Sequence, residues 1–293
     1  MMWIDAHCHI WALSRGDYDW LDQSDPALGP IAQDFGPSDL RERMDRTGIG
    51  RAVVVQAAPT EAETHWLLAQ AAGAPHLAGV VGWVDLTQTD LAQRLSNLSA
   101  NPALRGIRPM LQDLAPDWLA SAPAPGWADA LIAAGLRLDA LVRPAHLEAL
   151  AQVMASHPDL PVVIDHAAKP TLAAPPDDPR HAIWRAGMAR LAGETSACCK
   201  VSGLLTEMGA ADLPHARQVV MPLLDQLLEW FGPERLMWGS DWPVLRLAGN
   251  YADWQALCAE WLASKPEETR TRISGANAAR FYGLDDVLTG GMS

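Results

Sequence analysis

Aromatic rings other than indole are scarce in this chain, with 3 Phe and 3 Tyr against 13 Trp. Cysteine is sparse as well. Of the 4 present, Cys198 and Cys199 are adjacent while Cys8 and Cys258 lie far off, which excludes a CxxC metal clip and a small-protein disulfide framework. All four read as reduced, mostly buried thiols. Basic residues are outnumbered 22 to 35, giving a net charge of −13 and a pI near 5, with no Lys/Arg run. Such a chain is a poor partner for nucleic acid or an anionic membrane surface. No apolar stretch is long enough for a bilayer span, and no basic residue precedes Arg15, so no signal peptide is read. Residence in the cytoplasm is the default. Internal repeats and low-complexity tracts are absent.

Core material is what the chain does have. It comprises 293 residues, 49% hydrophobic and 19% charged, the balance of a globular protein. That length would allow two domains, but a closed α/β barrel also needs about 250 residues. The Trp excess fits sugar-stacking faces, although packing accounts for most of such a set.

Short apolar runs alternate with longer amphipathic stretches throughout. Eight strands are predicted, at Trp3 to His7, Ala52 to Gln56, Leu77 to Trp83, Leu104 to Arg108, Leu136 to Val142, Val162 to Asp165, Ala197 to Val201 and Leu236 to Ser240. Their continuous apolar character suits parallel strands covered on both faces. Ser38, Thr60 and Thr89 stand where helices should start; Pro144, Pro179 and Pro214 fit first turns, and Gly48, Gly193 and Gly232 fit stops. The pattern predicts a single (β/α)8 TIM barrel over residues 1–293, with a doubly wound open sheet as the alternative and 285–293 as a frayed tail. The stretch from Leu13 to Pro37 lacks periodicity and reads as a long functional loop after the first strand, and Ala173 to Pro179 reads the same way after the sixth.

In a barrel the chemistry belongs at the carboxyl ends of the strands. Strand one ends in His7-Cys8-His9, and side chains two apart on a strand point the same way, so both imidazoles can reach one metal ion. Alone, such a pair is more often two unrelated histidines. Strand six ends in Asp165-His166 and strand eight in Gly239-Ser240-Asp241-Trp242-Pro243, each at the expected rim. Asp241, flanked by Ser240 and Trp242, does not read as core. His166 reads either as catalytic or as a buried hydrogen-bonded histidine, and Arg108 and Lys200 either as partners of rim carboxylates or as groups that hold an ester carbonyl or hydroxyls. Asp5 reads as structural, and Lys169 and His146 as supporting or surface residues.

Taken in order, these segments resemble the amidohydrolase superfamily, in particular its sugar-lactone hydrolases of the L-fuconolactonase and L-rhamnonolactonase type, with 2-pyrone-4,6-dicarboxylate lactonase as a more distant relative. The resemblance rests on Ile4 through Trp11, Tyr18-Asp19-Trp20-Leu21, Gly106-Ile107-Arg108, Asp165 through Pro170, Lys200 through Leu204, Trp238 through Pro243 and Ala276 through Tyr282. It implies one divalent ion at most, zinc or manganese, held by His7, His9 and Asp241 with help from His166, or no metal at all. Strand four offers Arg108-Pro109 where many sugar lactonases are expected to have His, and no His follows strand five before His146, so a two-metal site is not expected.

The resulting expectation is hydrolysis of an aldonolactone to its sugar acid. Asp241 would be the general base, with His166 and Arg108 also catalytic. Trp11, Tyr18, Trp20, Trp83, Trp242 and Lys200 would contact the sugar. The rivals are a metal-dependent decarboxylase or hydratase, a lactone isomerase, and a non-catalytic carbohydrate-binding barrel. The partner is a small molecule, with a homo-oligomer left open.

Overall fold

The computed structural model describes residues 2–209 and 213–284; the predicted tail at 285–293 lies outside them. Eight parallel strands follow one another in sequence order: β1 Trp3–Cys8, β2 Ile49–Val55, β3 Leu77–Gly82, β4 Leu104–Ile107, β5 Arg137–Ala140, β6 Val162–Ile164, β7 Cys198–Val201 and β8 Leu236–Trp238. The seam closes beyond β8 through a parallel bridge between Cys8 and Trp242, carried by His9 N–H on the Trp242 carbonyl at 2.6 Å and Asp241 N–H on that of His7 at 2.7 Å. This is the predicted (β/α)8 barrel, and the open-sheet alternative falls.

Around it lie α1 Pro37–Thr47, α2 Glu61–Ala72, α3 Leu91–Ser99, α4 Trp118–Ser121, α5 Trp127–Ala133, α6 Leu147–Ser156, α7 Pro179–Glu194, α8 Leu213–Phe231, α9 Tyr251–Ala263, α10 Glu267–Thr271 and α11 Asn277–Tyr282. One apolar layer fills the space between sheet and helices. A second fills the barrel interior, where Ile4, Val53, Val81, Val163 and Met237 meet Tyr282 and Leu284 at its closed end. Eight of the 13 Trp are buried, so packing does account for most of them.

Several start and stop signals act as read. Thr60 caps α2 by accepting from Glu63 N–H, Pro179 opens α7, and Gly48 ends α1 in the left-handed conformation that glycine adopts without strain. Others shift. The α1 cap is Gly36 rather than Ser38, because Pro37 takes the first helical position and the Asp39 carboxylate accepts Gly36 N–H at 2.7 Å. Asp90, not Thr89, precedes α3, and α7 runs through Gly193 to Glu194. Between β1 and α1 the chain forms only two short 3-10 turns, at Leu13–Arg15 and Pro26–Leu28, and is pinned by paired Trp11 and Phe35 backbones. No helix among the described residues is long and apolar enough to cross a membrane.

Candidate active site

The carboxyl ends of β1, β4, β6 and β8 bring His7, His9, Arg108, His166 and Asp241 together. Asp241 Oδ1 lies 3.3 Å from His9 Nε2, 3.7 Å from His166 Nε2 and 3.9 Å from His7 Nε2. Burial pushes the Asp241 carboxyl up, but His166, His9 and His7 outweigh it and hold the group well below the usual carboxylate range. Burial lowers all three imidazoles, His166 to about 4, so they are neutral near pH 7.

Two stretches of left-handed backbone set these positions. Asp241 itself has φ 59°, a conformation that a short polar side chain tolerates. After β6, His166, Ala167, Ala168 and Lys169 have φ between 49° and 60°, forming a left-handed turn that returns His166 and Lys169 to the same cavity. Trp184 in α7 secures the turn by donating its indole N–H to the Ala167 carbonyl at 2.7 Å. Gly203 lets the chain following β7 approach it closely, since a Cβ there would fall 2.5 Å from His166 Nδ1.

The site's floor is a buried charge cluster. Lys200 Nζ lies 2.5 Å from Asp139 Oδ2, 3.0 Å from Asp165 Oδ1 and 3.0 Å from His7 Nδ1. Burial raises Asp139 to about 6 even against the pull of Lys200, and Tyr282 donates to it at 2.7 Å. For Asp165, Lys200 and His7 overcome burial and keep the carboxyl well below its ordinary range. His7, Asp139 and Asp165 would themselves suit a cation, but the Lys200 ammonium already stands among them. A second metal is therefore unnecessary. Arg108 forms the wall beside His7, its Nη1 3.4 Å from His7 Nε2, and is clamped by Gln56, whose carbonyl accepts from Arg108 and whose amide donates to the Arg108 carbonyl.

The other donor set does invite a cation. The Val55 carbonyl can only accept, so His9 carries its proton on Nδ1, at 2.8 Å, and turns a lone pair on Nε2 toward the ionised Asp241. His166 Nδ1 meets Ser202 Oγ at 2.9 Å, leaving its Nε2 toward Asp241 as well. Neutral imidazoles and a carboxylate facing one point, with their far nitrogens engaged, suit a divalent ion. His7, His9 and Asp241 are the residues that would hold it, with His166 beside them.

Over these groups opens a cavity of about 250 Å³ walled by His9, Arg108, His166, Asp241, Trp20 and Lys169. Lys169, read as a supporting or surface residue, faces the cavity with its Nζ 3.8 Å from Glu207; nothing in a His-Ala-Ala-Lys string signals the left-handed turn that brings it there. Asp139 and Gln112 also escaped the sequence reading. Conversely, Lys200 is fully buried beneath the floor and not in the cavity wall. Trp11, Tyr18 and Trp242 are buried too, Trp11 packing on Tyr18, Trp20 and Phe35 and Trp242 on Phe35, so they support the first loop and do not line the cavity. Trp83 lines a neighbouring cavity, and Trp20 lines both. His146 lies outside, its Nε2 3.2 Å from the Leu114 carbonyl. Asp5 is structural, accepting from His7 N–H, Ser240 N–H and the Tyr251 hydroxyl across the barrel seam.

A barrel with histidines at the end of β1, a histidine after β6 and an aspartate after β8 has the layout of an amidohydrolase, and residues 4–284 match the sequence model of the family described as Amidohydrolase. The chain belongs to that family. It is 43% identical over 292 residues to the L-fucono-1,5-lactonase of Burkholderia ambifaria, covering 96% of each chain. With the L-fucono-1,5-lactonase of Burkholderia multivorans it shares 36% identity, covering 97% of this chain and 96% of the relative. A crystal structure of a Burkholderia multivorans amidohydrolase with bound zinc superposes with a TM-score of 0.85 at 35% identity, covering 97% of this chain and 100% of that one.

Proposed function

We propose that this protein hydrolyses a neutral aldonolactone of the L-fucono-1,5-lactone type to the sugar acid, the whole chain acting as one catalytic domain in the cytoplasm. The observation that carries this reading is the ionised Asp241 carboxylate ringed by neutral imidazoles at the base of the cavity. The L-fucono-1,5-lactonase relatives support the substrate class.

In this reading Asp241 takes a proton from water as the water oxygen attacks the lactone carbonyl carbon. Negative charge develops on the carbonyl oxygen, and Arg108, held in place by Gln56, supplies a fixed guanidinium on that side of the cavity. As the tetrahedral centre collapses, the ring C–O bond breaks and Asp241 returns the proton to the departing ring oxygen. Trp20, half exposed at the mouth, offers its face to the sugar's C–H side, and Lys169 donates to a hydroxyl. A divalent ion such as zinc, held by His7, His9 and Asp241, would polarise the carbonyl as a Lewis acid.

A pH-indicator screen of aldonolactones, run with and without added zinc or manganese, tests the reading. Turnover of L-fucono-1,5-lactone well above the spontaneous rate is the expected result. Activity confined to aromatic or dicarboxylated lactones would replace the proposed substrate class.

A further inference from the structure

The second cavity is three times the size of the first, about 750 Å³ against 250 Å³, and the two meet along Trp20, Met110 and Asp113. It lies where the loops after β1, β2, β3 and β4 converge, on the same end of the barrel as the catalytic groups. Three indoles line it, Trp20, Trp83 and Trp118, together with the carboxylates of Asp17, Asp19, Asp85 and Asp113. Among its described lining residues there is no Lys, Arg or His.

A single sugar lactone needs only the inner cavity, so the outer one is space that the reaction itself does not use. Its chemistry is selective. Flat indoles bind the C–H faces of pyranose rings, and carboxylates accept from their hydroxyls. The excess negative charge, offset at Asp17 by Arg15, opposes a phosphate, sulfate or uronic acid in the same place. The contrast with the inner cavity is sharp, since Arg108, Lys169, His9 and His166 all face that one. Two of the acidic groups are already oriented by the fold. Asp85 is fixed by Thr87 and Gln88, and Asp17 by Arg15 and Thr60, so the outer walls are built before any ligand arrives.

We propose that the outer cavity is a subsite for an uncharged sugar ring attached to the lactone, which makes the preferred substrate a glycosylated aldonolactone and not a free monosaccharide lactone. The inference rests on the lactonase reading for its catalytic half only. The 1,5-lactones of cellobionic, maltobionic and melibionic acids, compared with glucono-1,5-lactone, test it across three linkages. At least one disaccharide lactone should reach a kcat/KM at or above that of the parent. Trp118, which lines only the outer cavity, should matter to that substrate alone: Trp118→Ala should raise its KM about 10-fold, the scale of one lost stacking face, and leave glucono-1,5-lactone unchanged, with Trp118→Phe restoring most of the loss. Disaccharide lactones that are all slower than the parent, or equal losses on both substrate sizes, would overturn the subsite. Calorimetric titration with the neutral alditols of the same disaccharides reads the subsite without hydrolysis. If no lactone, L-fucono-1,5-lactone included, is opened yet an alditol binds in a Trp118-dependent way, the hydrolytic reading fails and the subsite stands. If no alditol shows Trp118-dependent binding, the subsite fails.

Discussion

Replacing Asp241 by Asn is the most direct perturbation of the proposed chemistry, because it removes the base and, with it, the charged member of the set that would hold a divalent ion. The residue sits at φ 59°, where Asn is among the side chains that tolerate left-handed backbone, and its N–H bond to the His7 carbonyl is unaffected by the change. Folding should survive but stability at neutral pH should fall, because the depressed Asp241 pKa means that its charge stabilises the folded state and that contribution leaves with the carboxylate. Activity should fall much further. A general base contributes about 10²- to 10⁴-fold, and one feature places this case toward the lower part of that range. The neutral imidazoles around Asp241 can accept a proton weakly, which limits the loss. A drop in kcat of about 10²- to 10³-fold is expected, or about 3–4 kcal/mol of transition-state stabilisation. The assay is continuous indicator titration of L-fucono-1,5-lactone, with spontaneous opening subtracted and a thermal melt run on the same preparation. A kcat within about threefold of wild type, on a variant that is folded at the assay temperature, would show that Asp241 is not the base.

The remaining predictions concern the scaffold around that carboxylate. Gly203→Ala puts a Cβ 2.5 Å from His166 Nδ1 on a residue with φ +63°, and should cost about 2–4 kcal/mol of stability from strain and overpacking together while lowering kcat; an unchanged melt and rate would refute this placement of His166. Lys200→Met strands Asp139 and Asp165 and should destabilise by about 3–5 kcal/mol, with Asp139→Asn recovering part of the loss in the double variant; strict additivity in denaturant melts would argue against the cluster. Burial raises Glu63 from 4.5 to about 7 while it accepts from Ala57 and Ala58 N–H, so the folded state holds the extra proton between those values and stability falls as pH rises through that window. The full effect approaches about 3 kcal/mol, and Glu63→Gln should flatten that part of the pH–stability curve; a slope unaltered by the substitution would assign it elsewhere. Zinc at about 100 times its Kd should add about 2.7 kcal/mol to the stability of chelator-treated protein and do far less for His7→Asn; equal shifts in both would move the ion away from His7 and His9.

What could be read from the sequence follows from which signals are local. Parallel strands buried on both faces are continuous apolar runs, so all eight were visible, and the polar residue ending a run pointed to the candidate site in β1, β4, β6 and β8. His7, His9, Arg108, His166 and Asp241 are all residues of that kind. Asp139 and Lys200 are different: each lies within an apolar run and is stable there only because the other neutralises it across the barrel, a pairing between β5 and β7 that no local pattern encodes. The indoles failed in the opposite direction. Trp11 and Trp242 lie near strand ends as a sugar-binding ring would, but the loop from residue 13 to 37 needs a core of its own, and they, with Tyr18 and Phe35, provide it. Lys169 was hidden for a third reason. Left-handed backbone normally announces itself through Gly or Asn, whereas here the turn at 166–169 is imposed from outside, by the Trp184 bond to Ala167 and the room left by Gly203. Strain held by tertiary contacts has no signature in the strained residues themselves. That is why the end of β6 is legible at His166, while Lys169, carried to the cavity wall by the same turn, reads as a supporting or surface residue.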